Sequence, residues 1–161
     1  MQEDHRWSDF VQGIDTMEYS RAARFTPRNT RRLIDLLGLR GDERLLEVGC
    51  GPGVLLRALA AQLPHCEFVG ADRDAAFIAH AQRRARDENL RNIDFLVGDA
   101  YALPSGDRMF DIAVSYTVLE HVDPVPFLRE QARVLVAGGK VWALSMFPSA
   151  ALHDVPPNLP A

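Results

Sequence analysis

The chain has 161 residues, of which 47% are hydrophobic and 25% charged, a composition typical of one folded domain rather than of a disordered segment. Eighteen basic against twenty-two acidic side chains give a net charge of −4, which argues against a broad surface for nucleic acid or anionic membrane. The sequence has only two cysteines, no apolar run long enough to span a bilayer, and a polar start without a signal peptide. We therefore expect a soluble cytoplasmic protein.

The first element is a helical pattern that extends from Ser20 to Leu37. Pro27 divides it, and the second piece is predicted to begin near Thr26, which can cap a helix with proline in its first turn. Gly38 is placed to end this helix. We assign residues 1–39 to an N-terminal helical segment.

Strand and helix patterns then alternate along the chain. They predict strands over residues 45–48, 67–71, 93–97, 110–115 and 140–147, and helices over residues 54–63, 74–88 and 126–136. Asp74 is expected to cap the second of these helices, and Gly138 and Gly139 to end the third. Parallel strands joined by crossover helices form a doubly wound α/β sheet with helices on both faces. We assign residues 40–147 to this core and residues 148–161, which contain four prolines, to a tail.

Ligands of such sheets bind beyond the carboxyl ends of the strands. Glu47, Asp72, Asp99 and Ser115 lie at these ends, and a glycine-rich loop over residues 49–53 follows the first strand. The loop is neither G-x-G-x-x-G nor a P-loop, and a carboxylate beside it is unfavourable for a pyrophosphate. The pattern favours a nucleoside that is cationic near the loop and carries no phosphate, and S-adenosylmethionine meets these demands.

Residues 45–53, LLEVGCGPG, resemble motif I of class I S-adenosylmethionine-dependent methyltransferases. Later segments follow the order of that family's type 11 subgroup: VGAD at 69–72, GDA at 98–100, FDIAVS at 110–115, LEHV at 119–122, and RVL with GGK at 133–140. The resemblance implies a Rossmann-like methyltransferase fold and S-adenosylmethionine as cofactor. The family's sheet continues with a sixth and a seventh strand, which are expected to be lacking here.

The resemblance also implies nine cofactor-binding residues: Glu47, Gly49, Cys50, Gly51, Asp72, Arg73, Asp99, Ala100 and Ser115. The loop would contact the methionine portion, with Glu47 favouring its amino group and the Ser115 backbone lying near it. Asp72 would accept the ribose hydroxyls, and the adenine would lie against Arg73, Asp99 and Ala100.

His121 is the candidate catalytic residue, as a general base needed only when the acceptor must lose a proton. The alternative is that it belongs to a structural segment of the subgroup. Arg24 or Tyr19 is a candidate for binding the cofactor carboxylate. No cluster with metal-ligand spacing is present in the sequence, and Cys50 is interpreted as a small packing residue.

The acceptor is expected to be a small molecule. The segment after the fourth strand, SYTV at 115–118, lacks the motif of amino-methylating DNA enzymes. Neither cysteine follows a proline, so the Pro-Cys nucleophile of cytosine-C5 methyltransferases is also lacking. Two alternatives stay open, namely a shortened, catalytically idle methyltransferase-like module that serves in binding or assembly, and, disfavoured by the loop, a nicotinamide-dependent oxidoreductase. The fifth strand, with Val141, Trp142, Leu144 and Met146, would form an apolar edge that a second copy or another partner could cover.

Overall fold

The computed structural model describes residues 13–145. Its helices and strands, in chain order, are α1 (Ile14–Ala22), α2 (Pro27–Leu37), β1 (Arg44–Val48), α3 (Val54–Ala60), β2 (Glu67–Asp72), α4 (Ala75–Asp87), β3 (Ile93–Val97), β4 (Phe110–Tyr116), α5 (Pro124–Val134) and β5 (Leu135–Leu144). A short 3-10 turn, Leu119–His121, lies between β4 and α5.

The five strands form one parallel sheet in the order β3-β2-β1-β4-β5. The predicted doubly wound α/β fold is therefore confirmed. The strand order reverses between β1 and β4, so the crevice in which such sheets bind ligands opens beyond the carboxyl ends of these two strands.

Two apolar clusters pack on opposite faces of the sheet. Leu45 of β1 belongs to the cluster that also contains residues of α2, α3 and α4, whereas its neighbours Leu46 and Val48 pack with Phe127 of α5. Successive side chains of a strand point to opposite faces, so Glu47 lies on the same face as Leu45. A carboxylate at the end of β1 is thereby directed into the protein.

Local signals set several helix ends as predicted. The Thr26 side chain accepts a hydrogen bond from the Asn29 N–H (3.4 Å) at the start of α2, and Gly38 ends that helix with a left-handed φ of 69°. The Asp74 carboxylate caps α4 by accepting from the Ala76 N–H (2.8 Å). The first helix begins at Ile14, six residues before the predicted start, and α3 ends at Ala60, before the predicted Leu63.

The predicted end of the third crossover helix is wrong. Asp123 caps α5 and Pro124 occupies its first turn, so the helix covers residues 124–134 rather than 126–136. Gly138 and Gly139 do not end it but lie inside β5, which begins at Leu135. The pairing of β4 with β5 shifts register between Phe110 and Ile112, and the glycines lie in the β5 segment opposite this irregularity, Gly138 at a φ of 81°.

In the described part of the chain β5 is an edge strand, and Val141 is exposed on it. Trp142 and Leu144 are only half-buried but pack against the larger apolar cluster, so the edge is less apolar than expected. Met146 lies outside the described residues. That a second copy or a partner covers this edge stays a prediction.

Candidate functional site

A cavity of about 360 Å³ lies beyond the carboxyl ends of β1, β2, β3 and β4, within the size range of small-molecule sites. Seven of the ten predicted site residues line it: Gly49, Gly51, Asp72, Arg73, Asp99, Ala100 and His121. The side chains of the other three, Glu47, Cys50 and Ser115, are buried next to it.

The loop after β1 has a backbone that glycine alone adopts without strain. Gly49, Gly51 and Gly53 have φ values of 75°, 52° and 75°, in the left-handed region. A Cβ at Gly49 would lie 2.5 Å from Val118 Cγ2, so a side chain there would also collide with the segment after β4. The loop consequently brings bare backbone to the cavity wall.

Every N–H group of the loop donates a hydrogen bond within the protein. The amides of Gly49 and Cys50 both donate to the Ala71 carbonyl (2.7 and 3.1 Å), and the Gly53 amide donates to the Cys50 carbonyl (3.0 Å). The Gly51 amide donates to Asp72 Oδ2 (2.8 Å), and Pro52 has no N–H. No loop amide is therefore left to bind a phosphate, in contrast to a pyrophosphate-binding turn.

Asp72, the last residue of β2, is the carboxylate most closely tied to the loop. Its Oδ2 accepts from the Gly51 amide and its Oδ1 from the Asp74 amide (2.9 Å). Burial raises the pKa of this carboxyl, while the two backbone hydrogen bonds act in the opposite direction. A carboxylate has about four lone-pair sites, so Asp72 retains acceptor capacity for two hydroxyl groups in the cavity.

Glu47 is completely buried, and neither of its carboxyl oxygens has a hydrogen-bond partner among the described residues. Burial raises its pKa to about 8, with Asp72 adding to the rise and Arg21 opposing it. Cys50 is also buried, and burial followed by the charges of Glu47 and Asp72 raises the pKa of its thiol well above the usual value. The thiol is therefore protonated, as expected of a packing residue rather than a nucleophile.

The segment after β3 forms part of the cavity wall. The Gly98 amide donates to the Asp72 carbonyl (3.0 Å), which joins the ends of β2 and β3. Asp99 is exposed, and its Oδ1 accepts from the Tyr101 amide (2.8 Å), while Ala100 lines the wall beside it. Phe77 of α4 adds a buried apolar surface that a planar base could contact.

His121 ends the 3-10 turn after β4 and lines the cavity. Two residues later, the Asp123 N–H donates to the Tyr101 hydroxyl (2.7 Å) of the segment after β3. Val118, the residue before this turn, fills the space next to Gly49. Ser115 is buried inside β4, and its hydroxyl has no hydrogen-bond partner among the described residues. Its side chain does not line the cavity.

Helix α1 contributes to the cavity through residues other than the predicted Tyr19 or Arg24. Met17 and Arg21, one helical turn apart, line the cavity, and Met17 Sδ lies 3.4 Å from the position of a Cβ on Gly51. Arg21 Nη2 donates to Thr117 Oγ1 (3.3 Å), and Thr117 has a φ of 55°, a strained conformation typical of functional sites. The i, i+4 spacing of Met17 and Arg21 was the only signal in the sequence.

The two residues suggested for a ligand carboxylate do not line this cavity. Tyr19 is 80% exposed, and Arg24 is exposed with its Nη1 donating to the Tyr116 hydroxyl (3.3 Å). The arginine of α1 that lines the cavity is Arg21, whose guanidinium lies 5.6 Å from the centre of the Tyr116 ring.

A larger cavity of about 640 Å³ lies elsewhere, between β3, α4 and the start of β4. It contains none of the predicted site residues and includes Arg44, the first residue of β1, so it does not belong to the crevice at the carboxyl ends. Across residues 13–145, no group of three or more candidate metal ligands comes together. Within the same residues, no helix has the length and apolar character needed to cross a membrane.

A family model described as a methyltransferase domain matches residues 45–139. Among curated proteins, aklanonic acid methyltransferase DauC of Streptomyces sp. (strain C5) is 32% identical over 152 residues, which are 92% of this chain and 69% of that protein. Other curated relatives are longer, and the chain covers only 32% to 50% of the length of the first three.

Two solved structures share the arrangement of the described residues. A protein from Methanococcus maripaludis assigned as an S-adenosyl-L-methionine-dependent methyltransferase superposes with a TM-score of 0.72 at 27% identity, covering 81% of this chain and 61% of that chain. The [4+2]-cyclase SpnF superposes with a TM-score of 0.65 at 33% identity, covering 71% of this chain and 43% of that chain.

Proposed function

Since this chain belongs to the class I S-adenosylmethionine-dependent methyltransferase family, we propose that its cavity binds S-adenosylmethionine and that the protein transfers a methyl group to a small-molecule acceptor. When bound, the cofactor supplies a methyl group on a positively charged sulfur. The protein's task is then to hold the cofactor and to align the acceptor with it.

The observation that carries the proposal is the internal use of every loop amide. A dinucleotide would need free N–H groups at the glycine turn for its pyrophosphate, and here the Gly51 amide is already bound to Asp72. S-adenosylmethionine makes no such demand, because its ribose carries no phosphate and its sulfur is positively charged. The loop thus favours S-adenosylmethionine over nicotinamide dinucleotides.

The residues around the cavity fit the rest of this ligand. Asp72 has acceptor sites left for two ribose hydroxyls, and Phe77 and Ala100 offer apolar surface for the adenine. The Asp99 carboxylate can accept from the adenine amino group, and Arg73 would lie beside the adenine. Glu47 lies buried close to the loop, where a bound positive charge would lower its raised pKa and favour the ionised carboxylate.

His121 is placed to act on the acceptor rather than on the cofactor. It lines the cavity and is itself exposed, so an acceptor entering from solvent can reach it. For an acceptor hydroxyl, the His121 imidazole would accept the proton; an acceptor without a proton to lose needs no base.

Two features support a small acceptor. The site is a cavity of about 360 Å³ to which α1 contributes part of the wall, and a net charge of −4 does not favour nucleic acid. DauC, which this chain resembles over most of its length, is named for methylating aklanonic acid.

Calorimetric titration tests the binding half of the proposal. We expect S-adenosylhomocysteine to bind and NAD not to bind. Replacement of Asp72 by Asn should weaken S-adenosylhomocysteine binding about tenfold or more, because a carboxylate accepting from hydroxyls is lost. Asp35→Asn, at an exposed position of α2, is the matched control and should leave the dissociation constant unchanged. Binding of NAD without binding of S-adenosylhomocysteine would contradict the proposal.

Transfer itself is tested with methyl-labelled S-adenosylmethionine and a panel of hydroxylated aromatic acids and quinols. Label in any acceptor supports a methyltransferase. Binding without transfer to any acceptor would favour the second candidate, a module that binds the cofactor for another purpose. The similarity to SpnF, named as a cyclase, shows that this fold is not confined to proteins named as methyltransferases.

A further inference from the structure

Helix α1 covers the cavity without being part of the apolar core. It contributes Met17 and Arg21 to the cavity wall, yet none of its nine residues is buried. Its N-cap, Gly13, offers no side chain to the helix. Apolar burial, which holds most amphipathic helices in place, therefore contributes little to the position of α1.

Glu18 joins α1 to two helices of the core. Its Oε1 pairs with Arg57 Nη2 of α3 and lies 3.7 Å from Arg84 Nε of α4. Its Oε2 lies 3.2 Å from His80 Nε2, also on α4. The side chains are poorly exposed, 19% for Glu18 and 5% for Arg57, so these contacts are less screened by solvent than surface ion pairs.

Arg57 has a second carboxylate partner that does not involve α1. Its Nη1 pairs with Glu88 Oε1 at the end of α4, and Glu88 also lies 3.1 Å from Arg84 Nη2. When Glu18 is neutralised, the buried guanidinium keeps one counter-charge, and the core need not unfold. Glu18 and Glu88 thus share Arg57, but only Glu18 can hold α1.

We propose that Glu18 is a positioning residue for the cofactor site: its contacts with Arg57, His80 and Arg84 hold α1 where Met17 and Arg21 face the cavity. Glu18 acts through these two side chains and does not itself line the cavity. The inference rests on the proposed function for the identity of the ligand, and on the described contacts alone for the position of α1.

The test compares Glu18→Gln with Glu88→Gln, because each removes one carboxylate from Arg57. We expect the S-adenosylhomocysteine dissociation constant to rise about tenfold in Glu18→Gln, the size of a lost charge-assisted contact, and to stay within about twofold of wild type in Glu88→Gln. Glu18→Lys places a cation against three cationic or donor groups and should weaken binding further. Thermal unfolding of each variant shows that the core is intact.

Amide hydrogen exchange without ligand gives a second readout. Residues 14–22 should exchange faster in Glu18→Gln than in Glu88→Gln, while the strands keep their protection. Equal dissociation constants and equal exchange of α1 in the two variants would overturn the inference. If the wild-type protein binds no S-adenosylhomocysteine, the proposed function fails, and the exchange of α1 still decides whether Glu18 positions the helix.

Discussion

The two walls of the cavity are built in different ways. The wall formed by the loop after β1, the end of β2 and Phe77 is continuous with the apolar core, and its loop amides are all paired internally. The wall formed by α1 contains no fully buried residue and is attached by polar contacts, those of Glu18 and that of Arg21 with Thr117. The first wall should therefore be as stable as the fold, whereas the second should move independently of global unfolding.

Truncating one large side chain on each wall should give the largest contrast. Phe77 is 2% exposed, and Phe77→Ala should lower the free energy of unfolding by about 3–5 kcal/mol through lost burial and a cavity. Met17 also lines the cavity but is only half-buried on α1, so Met17→Ala should cost less than about 1 kcal/mol. Urea unfolding of both variants measures the difference, and comparable losses would show that α1 is part of the core after all.

A pair of glycines sharpens the comparison at the backbone. Gly53 has a φ of 75°, and a Cβ there would lie 2.5 Å from Phe95 Cζ, so Gly53→Ala should lower the free energy of unfolding by about 2–3 kcal/mol. Gly13, before α1, has nothing within 4 Å of an added Cβ, and Gly13→Ala should cost less than about 1 kcal/mol. Thermal or urea unfolding is the measurement. A well-tolerated Gly53→Ala would mean that the loop wall adapts.

The buried Glu47 makes the stability of the wall formed by the loop after β1 depend on pH. The pKa of Glu47 is raised to about 8 by burial, so the folded protein keeps a proton that the unfolded chain loses above about pH 4.5. Its contribution to stability is full below about pH 4.5, falls as the pH rises to about 8, and is level above that. Glu47→Gln should remove this decline and leave the variant more stable than wild type at pH 9, by about 1–2 kcal/mol.

Urea unfolding of wild type and Glu47→Gln between pH 4 and pH 9 measures this effect. Glu67→Gln is the control, because the Glu67 side chain is 70% exposed and should change the pH profile little. Identical pH profiles of Glu47→Gln and wild type would show that the Glu47 carboxylate is stabilised in the folded protein.

The wall formed by the loop after β1 could be predicted from the sequence, because the residue patterns that indicate it are local. The order of the elements places a glycine loop after a buried strand, and Asp72 and Asp99 at the ends of the next two strands. The rule that parallel strands end at one edge of the sheet then brings these residues together. The caps Thr26, Gly38 and Asp74 depend on neighbours within a few residues and were confirmed. The roles of the individual site residues toward a ligand stay predictions.

The features that sequence missed depend on distant contacts. Arg21 reaches the cavity only because α1 crosses the end of β4, where it meets Thr117. Glu47 is buried because its side chain lies on the face of the sheet that α2, α3 and α4 cover. Its position at the end of a strand does not indicate this. Gly138 and Gly139 were assigned to a helix end because their true role needs the irregular pairing of β5 with β4.

The internally bonded loop also bears on how a cofactor preference can change in the course of evolution or engineering. A side-chain substitution at Asp72 would release the Asp74 donor and, within the loop, only that of Gly51, while those of Gly49, Cys50 and Gly53 stay bound to carbonyl groups of the main chain. Conversion to a dinucleotide enzyme would therefore require the turn to follow a different path, through an insertion or deletion. Point mutagenesis should tune affinity for the present ligand class more readily than replace it.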